Sequence, residues 1–205
     1  MPNKSNQFSH CAPWTVWLAL SLCMASPLSH KLSANQPAIV ASVKLPMSIE
    51  SISIETEGID WGKCLQHWAW ILKKCPEFNI LLVTKFGELF VTDGDGSVWF
   101  LSSSNGSYEK IANSQEELSH LLSSKEEYEY YFMPQVITML EESIGNLGAG
   151  ECYGFHIPCV FKECKFEPGN FKVVAVESYL IALGDMLGQL QSTPNGEKVS
   201  FRAVE

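Results

Sequence analysis

The first 46 residues contain no Asp and no Glu, and nowhere does the chain carry an apolar run long enough to cross a bilayer. The longest, Thr15 to Ala25 ("TVWLALSLCMA"), has 11 residues, about half of what a membrane helix needs. Phosphate loops, G-x-S-x-G, H-E-x-x-H and the dinucleotide fingerprint are all missing, so the common motif-bearing enzyme classes have no foothold. Basic residues are scarce as well. Three of the 14 Lys and Arg precede Met47, leaving 11 against all 23 Asp and Glu, a net −12 for the remainder. Such a surface repels phosphate, which argues against nucleic acid as a direct ligand. It attracts a basic partner instead.

The charge break at Met47 separates a leader, residues 1–46, from a domain, residues 47–205. The apolar core of the leader suits a secretory signal cleaved after Ala25. However, the segment before it is long and polar, with Lys4 as its one cation, which favours upstream sequence ahead of a start at Met47. The seven cysteines are also an odd set. Cys11 and Cys23 fall in the leader, and Cys64, Cys75, Cys152, Cys159 and Cys164 cannot all pair. Free thiols suit the cytoplasm, with export as the alternative if residues 1–25 are a signal. At about 160 residues the domain can bury a core without disulfides or metal, and no cofactor is expected.

Within the domain, Asp60 is placed to cap a helix whose apolar face is Trp61, Cys64, Leu65, Trp68 and Leu72. Lys73 and Lys74 favour its C-terminal end and Pro76 stops it. Trp70 falls off that stripe and reads as a flank contact. Four short β-type runs follow: 79–84, 88–92, 97–101 and 107–112. They read as an antiparallel meander, with Gly94 and Gly96 supplying positive φ in the hairpin after Thr92 and "SSNG" (103–106) turning the next. Ser114 and Glu117 form a capping box before Leu118, Leu121 and Leu122. Pro134 either kinks the helix "KEEYEYYFM" or opens a new one bearing Val136, Ile137, Leu140 and Ile144. Residues 146–170 read as loop, 171–176 as a buried strand, and about 178–191 as a last helix. On that helix Gly184 and Gly188 share a face for close packing onto a sheet. The fold class is α+β, an antiparallel meander packed with several helices in one domain.

Three constellations offer chemistry. Asp93-Gly94-Asp95-Gly96 has carboxylates, but the chain runs straight into a strand where an EF-hand needs a twelve-residue loop, so a tight turn is expected rather than a metal loop. Cys152, His156, Cys159 and Cys164 lie close enough for zinc, yet lack paired CxxC knuckles. Their apolar neighbours read as core anchors. Cys152 with His156 makes a conceivable nucleophile and base, without a third orienting group. Enzymatic activity is therefore not expected. Glu126, Glu127 and Glu129 alternate with Tyr128, Tyr130 and Tyr131, which cannot all point inward. An acidic surface with exposed tyrosine suits a protein interface, and a merely solvated helix face accounts for it equally well.

Taken in order, "FGELFVTDGDGSVWFL", "IANSQEEL", "GNLGAGECYGFHIPCVFKE" and "FKVVAVESYLIALGDMLGQL" resemble one family. It is the C-terminal domain of immunity proteins that protect bacteria from type VI secretion DNase effectors. The motif residues are Gly87, Asp93, Gly96, Asn113, Ser114 and the run Gly150, Glu151, Cys152, Tyr153, Gly154 and Phe155. The resemblance implies a non-enzymatic α+β inhibitor in which Gly150–Phe155 forms a tight loop pinned by its aromatics. It implies a cytoplasmic protein that binds a basic toxin, a nuclease effector, with no nucleic acid or membrane involved. Asp93, Asp95, Glu126, Glu127, Glu129 and Tyr130 are the expected contact residues, on grounds of surface charge rather than of the motif. A regulatory scaffold binding a cellular protein is the alternative.

Overall fold

The computed structural model describes residues 49–72 and 78–199; residues 1–46, Lys73, Lys74, Cys75 and Pro76 lie outside them. Four strands form a meander in the order β1-β2-β3-β4: β1 (Phe78–Val83), β2 (Leu89–Asp93), β3 (Val98–Ser102) and β4 (Ser107–Ala112), each antiparallel to the next. The expected α+β meander is thus present. Residues 52–54 run beside the end of β1, with a bridge from Ser53 to Thr84 that covers part of its open edge.

Both faces of this sheet are buried, which the period-two pattern of the strands makes legible. On one face Phe90, Val98, Leu81 and Leu82 join a core with α3 (Gln115–Ser123), α4 (Lys125–Phe132) and α5 (Pro134–Ile144). Aromatic rings dominate there: Phe90 lies 4.9 Å from Phe100 and 5.5 Å from Phe132, centroid to centroid. Such pairs add to their area burial by about 0.5–1.5 kcal/mol each. On the other face Leu89, Val91, Leu101 and Val83 pack with α1 (Trp61–Gln66), α2 (Ala69–Leu72) and α6 (Val176–Leu190).

The caps behave as their chemistry dictates. Asp60 Oδ1 accepts from the Lys63 N–H at 3.0 Å. Ser114 Oγ accepts from Glu117 N–H at 3.2 Å, and Glu117 returns to accept from the Asn113 backbone at 2.7 Å. Pro134 opens α5 as its first residue, and Met133 before it takes a left-handed φ of 46°. A non-glycine residue rarely adopts that conformation. Here it turns the chain between two helices with no other linker.

Five expectations are corrected. The helix capped by Asp60 is not continuous; it breaks at His67–Trp68 into α1 and α2. The break lets the wholly buried Trp68 donate its indole N–H to the Leu180 carbonyl at 2.9 Å. Gly184 and Gly188 pack on side chains of this broken helix and not on a sheet: a Cβ on Gly184 would stand 2.8 Å from Trp68 Nε1, and one on Gly188 3.1 Å from Trp70. Trp70 is the flank contact expected, donating to the Gly184 carbonyl at 3.1 Å. In the β2–β3 turn Gly96 alone is left-handed (φ 85°), so Gly94 needs no special conformation. Finally, Gly150–Phe155 is not a tight loop. It is mostly strand β5 (Glu151–Phe155), paired antiparallel with β6 (Phe171–Ala175), and α6 begins two residues earlier than its sequence pattern suggested.

Candidate functional site

The glutamates of α4 gather on one surface. Glu126, Glu127, Glu129 and Tyr130 line a shallow concavity of about 390 Å³. The helical period explains the arrangement. Tyr128, Tyr131 and Phe132 point into the core, which forces Tyr130 outward at 63% exposure. Its phenol is pushed up by partial desolvation, then by Glu109, Glu88 and Glu127 around it. Glu129 accepts from Gln135 Nε2 at 3.0 Å and faces Lys125 at 3.7 Å, so this acid is partly neutralised. The ring of Tyr130 meets that of Tyr131 edge-on at 5.0 Å, which gives the exposed side chain a fixed footing.

Asp93 and Asp95 do not line this concavity. Both accept from the Ser97 backbone N–H, at 2.9 and 2.8 Å, and Asp93 Oδ2 also accepts from Trp99 Nε1 at 2.8 Å. The pair therefore closes the β2–β3 turn. Hydrogen bonds to Ser97 and Asp93 hold the exposed Asp95 carboxyl down at about 2.

The Gly150–Phe155 run is devoted to scaffolding. Gly150 is left-handed (φ 70°) and its carbonyl accepts from Val176 N–H, which ties β5 to the start of α6. Glu151 accepts from Gly148 N–H at 2.7 Å. Tyr153 receives nothing from solvent: its N–H donates to the Lys85 carbonyl at 2.7 Å and its hydroxyl to the Gly145 carbonyl at 2.8 Å. Gly154 is required because a Cβ there would meet Val174 at 2.7 Å and the Tyr179 ring at 2.9 Å. Gly87, left-handed at φ 75°, completes the β1–β2 turn under Tyr179 and Cys152.

Cys152 is fully buried and burial pushes its thiol up to about 12, the reverse of what an activated nucleophile requires. His156 is exposed. Cys159 and Cys164 do meet, with their sulfurs 3.0 Å apart. Among the described residues no three His, Cys, Asp or Glu side chains are grouped to hold a metal ion. Nor is any helix there long and apolar enough to cross a membrane.

Glu88 is the residue that charge-based reading missed. It stands one residue before β2, and its charge gave no sign of burial. Only 4% exposed, it accepts from Ser104 Oγ at 2.7 Å through Oε1, while Oε2 has no hydrogen-bond partner. Ser103 Oγ nearby in sequence is buried and similarly unmatched. Burial raises the Glu88 carboxyl to about 7, against the pull of its Ser104 and Ser102 hydrogen bonds. A polar nest thus sits under the β3–β4 turn, beside the acidic surface. No protein-family model matches the chain, and no curated protein matches its sequence.

Proposed function

We propose that this chain is an immunity protein that binds a basic secreted toxin, a type VI nuclease effector, in the cytoplasm and covers its active site. One observation carries the reading: Tyr130 is an exposed aromatic on a rigid helix, set in a concavity walled by Glu126, Glu127 and Glu129. A nuclease must present a basic groove to phosphate. An acidic rim around an aromatic anchor is the complement of such a groove, the acids speeding encounter and the ring giving the desolvated centre. The charge of −12 from Met47 onward works in the same direction, as does the resemblance of the Asp-Gly hairpin and the Gly150–Phe155 run to the immunity family. Asp95 adds charge from the hairpin, whereas Asp93 is already engaged by Ser97 and Trp99.

Co-expression with nuclease toxins encoded by neighbouring genes tests the proposal. Growth should be rescued and the two chains should co-purify, with an association rate that falls as salt rises. Replacing Tyr130 by Ala should weaken the complex by about 2 kcal/mol or more, as an anchor residue does. A toxin that is neither bound nor neutralised refutes the reading.

A further inference from the structure

The sulfurs of Cys159 and Cys164 stand 3.0 Å apart on a segment that the toxin-binding surface does not use. A disulfide requires about 2.05 Å, so bond formation needs a closing of roughly 1 Å. The segment is built to hold the two together. Two successive turns, Phe161 N–H to Pro158 carbonyl and Cys164 N–H to Phe161 carbonyl, bring position 164 back toward 159. Asn170 then staples the loop from beneath. Its Oδ1 accepts from Ile157 N–H at 2.8 Å, and its Nδ2 donates to the Ile157 and Lys165 carbonyls, both at 3.0 Å. These bonds grip the chain on either side of the cysteine pair. Asn170 is itself buried, so the staple is not a surface accident.

The two thiols also differ from the other described cysteines in access. Cys64 and Cys152 are fully buried in the core, whereas Cys159 and Cys164 are half-buried on a segment whose Ile157, Val160 and Phe166 are exposed. We propose that Cys159 and Cys164 form a thiol–disulfide exchange site, oxidised by small-molecule disulfides of the glutathione class and reversed by the corresponding thiols. Burial and the adjoining Cys164 push the Cys159 thiol up; the proposed exchange opens at Cys164. Its thiolate attacks one sulfur of the small disulfide, forming a mixed disulfide and expelling one small thiolate. Cys159, no longer held by the Cys164 thiol, gives up its proton, and its sulfur attacks the Cys164 sulfur and expels the second. One S–S bond breaks and one forms. The protein gives up two electrons, the small disulfide takes them, and the two thiol protons end on the two released small thiols. In a reducing compartment such a bond is transient and responsive rather than structural.

The test exposes the full chain to excess oxidised glutathione, quenches with an alkylating agent and digests with trypsin. Cleavage after Lys162 falls between the cysteines, so an internal disulfide holds two fragments together until reductant is added. The joined fragments should appear at least about tenfold faster than any modification of Cys64 or Cys152. Cys159→Ser should stop at a single glutathione attached to Cys164. The proposal is overturned if both thiols are still alkylated after prolonged exposure. Arrest of the natural chain at the mixed disulfide, or pairing of either cysteine with one elsewhere, overturns it equally.

Discussion

Replacing Glu88 by Gln should stabilise this protein above neutral pH, and by an amount that vanishes in acid. The carboxyl is buried, one oxygen is bonded to Ser104 and the other has no partner. Its folded value of about 7 stands above an ordinary 4.5. A raised carboxyl means that the folded state holds its proton more tightly than the unfolded chain does. Stability is therefore greatest below 4.5, falls as pH rises from there to about 7, and is flat beyond. At roughly 1.4 kcal/mol per tenfold change, the loss amounts to about 3 kcal/mol. Gln preserves an oxygen to accept from Ser104 and removes the buried charge. Urea denaturation of both proteins from pH 4 to pH 8 measures the effect. The difference in unfolding free energy isolates Glu88, because every other titrating group is common to both. A difference that rises with pH and levels off near neutrality is expected. Parallel stability curves, or a variant less stable at pH 8, would refute the account of this residue.

Gly154→Ala should cost about 1–3 kcal/mol in the same denaturation assay, because its methyl would press on Val174 and the Tyr179 ring. Ser114→Ala removes the cap of α3 and should cost about 1 kcal/mol, with the sheet intact by circular dichroism. Lys85→Met leaves Glu141 without its 2.6 Å partner between the β1–β2 turn and α5; since the pair is only partly buried, a loss of about 1–2 kcal/mol is expected, diminished by salt. Gly94→Ala should be nearly neutral, whereas Gly96→Ala should destabilise by about 1 kcal/mol, since only Gly96 has a left-handed backbone.

The sequence was most legible where structure is local. The Asp60 and Ser114 caps, the four meander strands and the role of Pro134 each follow from residues within one turn or hairpin of each other. The failures are long-range. The break at Trp68 exists because its indole reaches a carbonyl 112 positions away. β5 escaped notice because Gly150 and Gly154 read as loop punctuation, and its partner β6 lies across an irregular segment. Gly154 is there to admit Val174 and Tyr179, a reason that no local window contains. At the surface, the outward turn of Tyr130 follows from α4 periodicity. The consumption of Asp93 by Trp99 and the burial of Glu88 do not, because charge was taken to mean exposure. Cys159 and Cys164 were visible as a spaced pair, but their contact depends on the Asn170 staple.

The earliest described helices rest on the latest. Glu177 accepts from the Asp60 backbone, Asp185 meets His67 at 2.7 Å, and Trp68 and Trp70 both donate to carbonyls of α6. A ribosome making this polypeptide therefore exposes α1 and α2 long before their seat exists. Nascent chains halted before Val176 should leave Trp68 wet and open to proteolysis, and protection should arrive abruptly once α6 clears the exit tunnel. Competence of the molecule is then gated by the emergence of α6, with no earlier species able to shield Trp68 and Trp70.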